Sequence, residues 1–273
     1  MSVGMSVGMS VVQTAPAVGS GRVVLRAAQA EWMRLRTVRT TWWCLLAAAV
    51  AVVGMATLLG LDVAGEQAAG VERDEPWPPA VLAGELSVLV GQFGLLVLVL
   101  LAVTAEYGAG AVGTSLQWTS RRRTLLLTRT AVATGVAVVA GVLLVAVADV
   151  TAWAIAPVLE LSPGDLASSL LGVAGVLAAG SLVAAGLGFL LRSTAGALAS
   201  VFLLMLVLPL LLPAFGVDWL ETVGTHLPGG AAVHLLGQEV EGLTRTSAAV
   251  VLAAWAAAAT AAGAVSFLRR DAD

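Results

Sequence analysis

The chain has 273 residues, 59% of them hydrophobic and only 11% charged, with a net charge of −3. A soluble domain normally carries about 25% charged residues, so a water-covered globule is excluded, and the acidic balance speaks against nucleic acid as a partner. All fourteen basic residues are arginine, and the one cysteine, Cys44, lies inside an apolar block, which excludes a disulfide framework or a multi-cysteine metal site.

Residues 1–20 open on MSVGMSVGMSV, a four-residue repeat without the apolar core of a signal peptide, and read as a disordered tail. Residues 21–41 read as a helix lying on the cytoplasmic membrane surface. Leu25, Ala28, Trp32 and Leu35 recur at three- and four-residue spacing, while Arg36 and Arg39 snorkel from the edge of that face. The plainer alternative is a basic flank that only sets topology.

A hydrocarbon core about 30 Å thick needs about 20 apolar helical residues. Six stretches qualify, near 42–61, 84–105, 127–150, 166–191, 194–215 and 246–268. Each must be helical, because backbone amides left unpaired in lipid cost several kcal/mol apiece. The fold class is therefore all-α, a polytopic bundle of six transmembrane helices. Arg192-Ser193-Thr194 reads as a tight surface turn between the fourth and fifth spans, since one continuous helix would be too long to cross once.

Orientation follows from the arginines. Arg22, Arg26, Arg34, Arg36 and Arg39 precede span one; Arg121, Arg122, Arg123 and Arg129 join spans two and three; Arg192 joins four and five; Arg269 and Arg270 lie in the tail at 269–273. These twelve fall on one side, and only Arg73 and Arg245 on the other, among many acids. A plasma-membrane protein with both termini cytoplasmic is expected. Trp42, Trp43, Trp77 and Trp153 stand near span ends, where indoles favour the headgroup layer.

The connection at 106–124 is the one substantial cytoplasmic link and mixes apolar with polar residues, as a docking surface would; a solvated loop whose arginines hold anionic lipid is the alternative. Gly108, Gly110 and Gly113 match a dinucleotide-loop spacing, but that motif needs a strand before it and a span stands there instead. Glu85 and Asp149, at outer ends of spans two and three, read as reaching the headgroup layer rather than as intramembrane functional carboxylates. Gly172, Gly180, Ala184 and Gly188 form a small-residue stripe on span four, fit for close helix packing within the subunit or across a dimer. Pro209 and Pro213 should kink or end span five. Residues 217–245 are too apolar for a free loop and read as two short helices broken at Leu227-Pro228-Gly229-Gly230, with His226 and His234 as loop histidines rather than metal ligands.

Enzyme motifs are missing. There is no H-E-x-x-H helix, no G-x-S-x-G elbow and no lysine for a P-loop, so no catalytic residue is expected and any ATP and Mg would be bound by another polypeptide.

Two segments carry a family resemblance. Residues 30–43, with Glu31 ahead of Arg34-Leu35-Arg36-Thr37 and the pair Trp42-Trp43, resemble the lead-in to span one of type-2 permeases of ATP-binding-cassette (ABC) exporters, the short actinobacterial kind. Thr104-Ala105-Glu106-Tyr107 followed by Gly110 resembles that family's motif after span two, and Arg121, Arg122 and Arg123 match its basic cluster. Gly108 and Ala111 stand where the family often has a basic residue and a threonine. The resemblance implies a permease that pairs with a second chain, identical or paralogous, above two ABC ATPase subunits. It implies a coupling element at 107–123, anchored by Glu106 and including Trp118, braced by the helix bearing Trp32, Leu35 and Arg36. A non-transporting scaffold or sensor is the second reading; a self-sufficient carrier is disfavoured because no charge sits near the middle of a span.

Overall fold

The structure, a computed structural model, describes residues 20–108, 122–237 and 242–270. The repeat-bearing tail and most of the 106–124 connection lie outside the described residues. The described chain is helical throughout, with no strand among the described residues. In order come α1 (Ser20–Thr37), α2 (Arg39–Ala68), α3 (Val81–Gly108), α4 (Arg122–Ile155), α5 (Pro163–Leu191), α6 (Thr194–Phe215), α7 (Asp218–His226), α8 (Pro228–Leu235) and α9 (Arg245–Arg270). Six of these, α2 to α6 and α9, are long and apolar enough to cross a membrane.

Local chemistry sets the boundaries. Val38 is extended (φ −81°, ψ 122°) and separates α1 from α2, so the amphipathic helix stops at Thr37 rather than continuing to 41. Trp42 staples this bend by donating from Nε1 to the Arg36 carbonyl at 3.1 Å. At the far end α2 runs past the expected residue 61 to Ala68, since Asp62 and Glu66 ride on solvent-facing turns that need no hydrocarbon. Ser162 caps α5 by accepting from the Asp165 amide, with Pro163 pre-set in the first turn. The expected turn at Arg192 is present: Arg192 adopts the left-handed conformation (φ 52°) and Ser193 caps α6 through the Gly196 amide. Thr244 and Ser247 cap α9 reciprocally.

The spans divide unequally. In α3 61% of the most apolar window is buried inside the chain and in α5 56%, against 17% in α6 and 22% in α9. So α3 and α5 form the core, and α2, α4, α6 and α9 surround them. Small residues set the crossings. Gly180 meets Leu96 and Met205, Gly188 meets Val103 and Thr104, Gly172 meets the Leu235 carbonyl, and Ala184 is fully buried. The span-four stripe therefore packs within the subunit. The closest crossing uses a glycine outside the stripe: a Cβ on Gly186 would collide with the backbone of Ala259 and Thr260, and one on Gly263 with Gly186 itself.

Pro209 acts on α6 as expected. A π-turn spans Leu203–Val207 just before it, and a 3₁₀ turn closes the span at Pro213–Phe215. The two short helices α7 and α8 break at Leu227-Pro228, and Pro228 to Ala232 are buried, so this hairpin re-enters the bundle. A Cβ on Gly229 would strike the Met205 carbonyl, the group that Pro209 leaves without its helical donor.

Gly186→Ala is expected to destabilise the chain by about 1–3 kcal/mol through overpacking. Gly175→Ala, where a Cβ meets nothing within 4 Å, should be neutral or slightly stabilising. Thermal unfolding in detergent compares the two.

Candidate functional site

One end of the bundle collects Glu31, Arg34, Ala102, Arg129, Thr104, Thr194, Arg192 and Ser266 through mutual contacts. This is the arginine-rich end. Here α1 is clamped by charge. Glu31, only 7% exposed, accepts at Oε1 from both Nε and Nη2 of Arg129, each at 3.1 Å. Arg34 lies 2.8 Å from Oε2 of the same carboxylate, and its Nη2 also donates to the Ala102 carbonyl of α3 at 2.7 Å. A single buried acid thus ties α1 to α4 directly and to α3 through Arg34.

The clamp sets which side of α1 meets the bundle. The inward side carries Glu31 and Leu35, whereas Leu25 and Trp32 are 60% and 51% exposed. In lipid an apolar face gains little by turning inward, while an acid must find its cations inside the protein. Arg129, grouped with the loop arginines by sequence, is instead a buried member of α4. Arg36 is exposed. Of the expected coupling residues, Gly110, Trp118 and Arg121 lie outside the described residues. Glu106 and Tyr107 close α3, and Arg122 and Arg123 open α4, so the connection leaves the bundle beside the clamp.

Next to the clamp, an open groove of about 690 Å³ runs between α2, α3 and α6, lined by Trp43, Cys44, Phe93, Val97, Leu198 and Phe202, among others. Phe93 and Phe202 close one wall with ring centroids 4.8 Å apart. No lining residue is charged. Gly94 lines the groove where α2 and α3 cross closely: a Cβ there would press on the Cys44 carbonyl and the Ala48 amide, each at 3.0 Å.

The acid-rich end is built differently. Asp149 is fully buried and accepts at Oδ1 from the Gly84 amide at 3.0 Å. That amide belongs to the first turn of α3, whose donors lack helical partners, so α4 caps α3 from outside. Gly84 is required there, because a Cβ would collide with the Asp149 carboxylate. Glu85 is 6% exposed, beside Ser169 of α5 and within electrostatic reach of Arg245. Gly237 takes a left-handed turn (φ 79°) against its carboxylate. Both acids therefore face the protein interior, not the headgroup layer expected from their positions. Each satisfies or meets a polar group that lipid would leave orphaned. Arg73 pairs with Glu66 at 2.7 Å and stacks over Trp77 at 4.5 Å. The Nδ1 atom of His226 lies 2.8 Å from the Thr222 carbonyl, and no metal-ligand cluster occurs among the described residues.

Removing one partner of the clamp should cost more than removing both. Arg129→Leu is expected to lower stability by about 3–5 kcal/mol, because Glu31 stays buried. The Glu31→Leu/Arg129→Leu double variant should recover most of that, as Arg34 is exposed enough to reach water. Unfolding midpoints of the four combinations give the coupling. At the other end Asp149→Asn keeps an acceptor for the Gly84 amide and should be tolerated. Asp149→Leu should cost about 1–3 kcal/mol for the orphaned donor.

No family model and no curated protein sequence matches the chain, so its role is argued from its own residues.

Proposed function

We propose that this chain is the membrane subunit of an ATP-driven exporter, providing half of a pathway for an amphipathic or hydrophobic cargo. The observation that carries the reading is the uncharged groove between α2, α3 and α6, open along the least covered span. A wall of Trp43, Phe93, Leu198 and Phe202 offers apolar contact and no fixed charge, which suits a lipid-like molecule and not a small ion. A second copy or paralogue facing the groove would complete the pathway.

The clamp supports the same reading. A segment that transmits force from a cytoplasmic motor needs a rigid base, and Glu31, Arg34 and Arg129 lock α1 to the two helices from which the 109–121 connection emerges. The resemblance of residues 30–43 and 104–110 to type-2 ABC permeases points to an ABC ATPase as that motor. In this arrangement the arginine-rich end faces the cytoplasm and the α7–α8 hairpin faces outward, following the positive-inside rule.

The full chain, purified in mild detergent from its native membrane, should carry an ABC ATPase polypeptide and hydrolyse ATP. Replacing Trp118 with Ala and Arg121, Arg122 and Arg123 with Gln should leave insertion intact and release or uncouple that ATPase. Ala199→Trp, which fills the groove, should abolish cargo movement while the ATPase stays bound. If no ATPase accompanies the wild-type chain, the exporter reading fails. If one does but no cargo stimulates it, the scaffold reading replaces it.

A further inference from the structure

A second groove lies between α1 and α4, where Ala28, Gln29 and Trp32 overhang Val132, Gly135, Val136, Val139, Ala140 and Leu143 of α4. It encloses about 650 Å³. From Val132 to Leu143 the groove follows eleven residues of helix, about 16 Å at 1.5 Å per residue, or roughly half of a 30 Å hydrocarbon core. Its depth is that of one leaflet. Val139 and Leu143 are 60% and 61% exposed, so the trough faces the bilayer side of α4. Gly135 forms its notch, with nothing within 4 Å of where a Cβ would stand. Such a trough within a membrane must be filled by something apolar, because its walls otherwise lose their contacts.

The rim says what kind of molecule fills it. Gln29 shares its helical face with Arg22, Arg26 and Arg36, at i−7, i−3 and i+7, and all four side chains are exposed. The only acid in α1, Glu31, is turned away into the clamp with Arg34 and Arg129. Among the described residues no acid of α1 offsets these guanidinium groups, so the rim presents positive charge at headgroup level, next to an indole, above an apolar slot one leaflet deep. We propose that this groove is a binding site for a single anionic phospholipid of the leaflet at the arginine-rich end. One acyl chain lies along Val132 to Leu143 over Gly135, and the phosphate sits against the α1 guanidinium groups. The site depends on the membrane setting alone and is independent of export.

The full chain is reconstituted in vesicles of phosphatidylcholine containing a minor fraction of phosphatidylglycerol, re-extracted in mild detergent, and its retained lipids counted by native mass spectrometry. The wild type is expected to hold one phosphatidylglycerol, enriched about fivefold or more over its share in the vesicle, the worth of one arginine at an anionic surface. Gly135→Leu fills open space and favours the helix, so it should fold normally and lose the retained lipid. Arg22→Gln/Arg26→Gln/Arg36→Gln should keep one lipid but lose the anionic preference. Retention at the bulk ratio in the wild type would overturn the proposal, as would undiminished retention in Gly135→Leu. A Val139→Cys variant that cross-links two copies of the chain through this position would also overturn it, since a second copy would then occupy the groove.

Discussion

Hydrocarbon offers no hydrogen bonds, and the rest of this structure follows from that constraint. Every backbone amide within a span must be satisfied by the chain itself, which is why the described residues are helical and why helix ends receive such explicit treatment. Ser162, Ser193 and Thr244 cap their helices locally. The first turn of α3 has no local cap of this kind for Gly84, and Asp149 supplies it from the neighbouring span. A carboxylate that would be a liability in lipid becomes the acceptor for a donor that would be equally costly.

The same constraint explains the clamp at the other end. In water, α1 would turn Leu25 and Trp32 inward and leave Glu31 outside. At a bilayer surface the apolar side chains have a good solvent already, so the free-energy difference that orients the helix comes from Glu31 and its two arginines. Burial raises the cost of an unpaired charge and strengthens a paired one, so the cluster specifies where α1 sits more sharply than apolar contact would. The faces of α1 turned away from the clamp, with Leu25 and Trp32, stay exposed.

How much of this was legible in the sequence depends on range. The spans were visible because lipid demands long apolar runs, and the Arg192 turn and the Pro228 break were visible because charge and proline interrupt such runs. The Gly180 and Gly188 contacts followed from a stripe at four-residue spacing. Gly186 did not, since its partners, Ala259 and Gly263, lie on another span and share no periodicity with it. Glu31 with Arg129, and Gly84 with Asp149, are separated by 98 and 65 residues. No local pattern announces which acid on a helix turns inward. The signal that existed was negative: an acid such as Asp149 at the end of an apolar run needs a partner, and its headgroup placement assumed that the partner was water.

The asymmetry among spans links packing to action. Helices α3 and α5 are buried over more than half of their most apolar windows, whereas α6 is covered over only 17% of its own and carries the one π-turn among the described helices. Pro209 withholds the donor that the Met205 carbonyl would take in an α-helix, and Gly229 brings the start of α8 directly against that carbonyl. A weak contact of the Cα–H···O kind is the natural use of such an approach, and any larger side chain at 229 would push the hairpin away. The least anchored span thus meets the re-entrant hairpin where its own α-helical ladder is interrupted, at Met205 and Gly229, and again at its end, where Gly224 packs on Leu212 and Pro213. Its other end lines the uncharged groove through Leu198 and Phe202. A displacement of α6 at the groove would therefore reach the hairpin through Met205 and Gly229 without breaking a regular helical bond, because proline has removed that bond in advance.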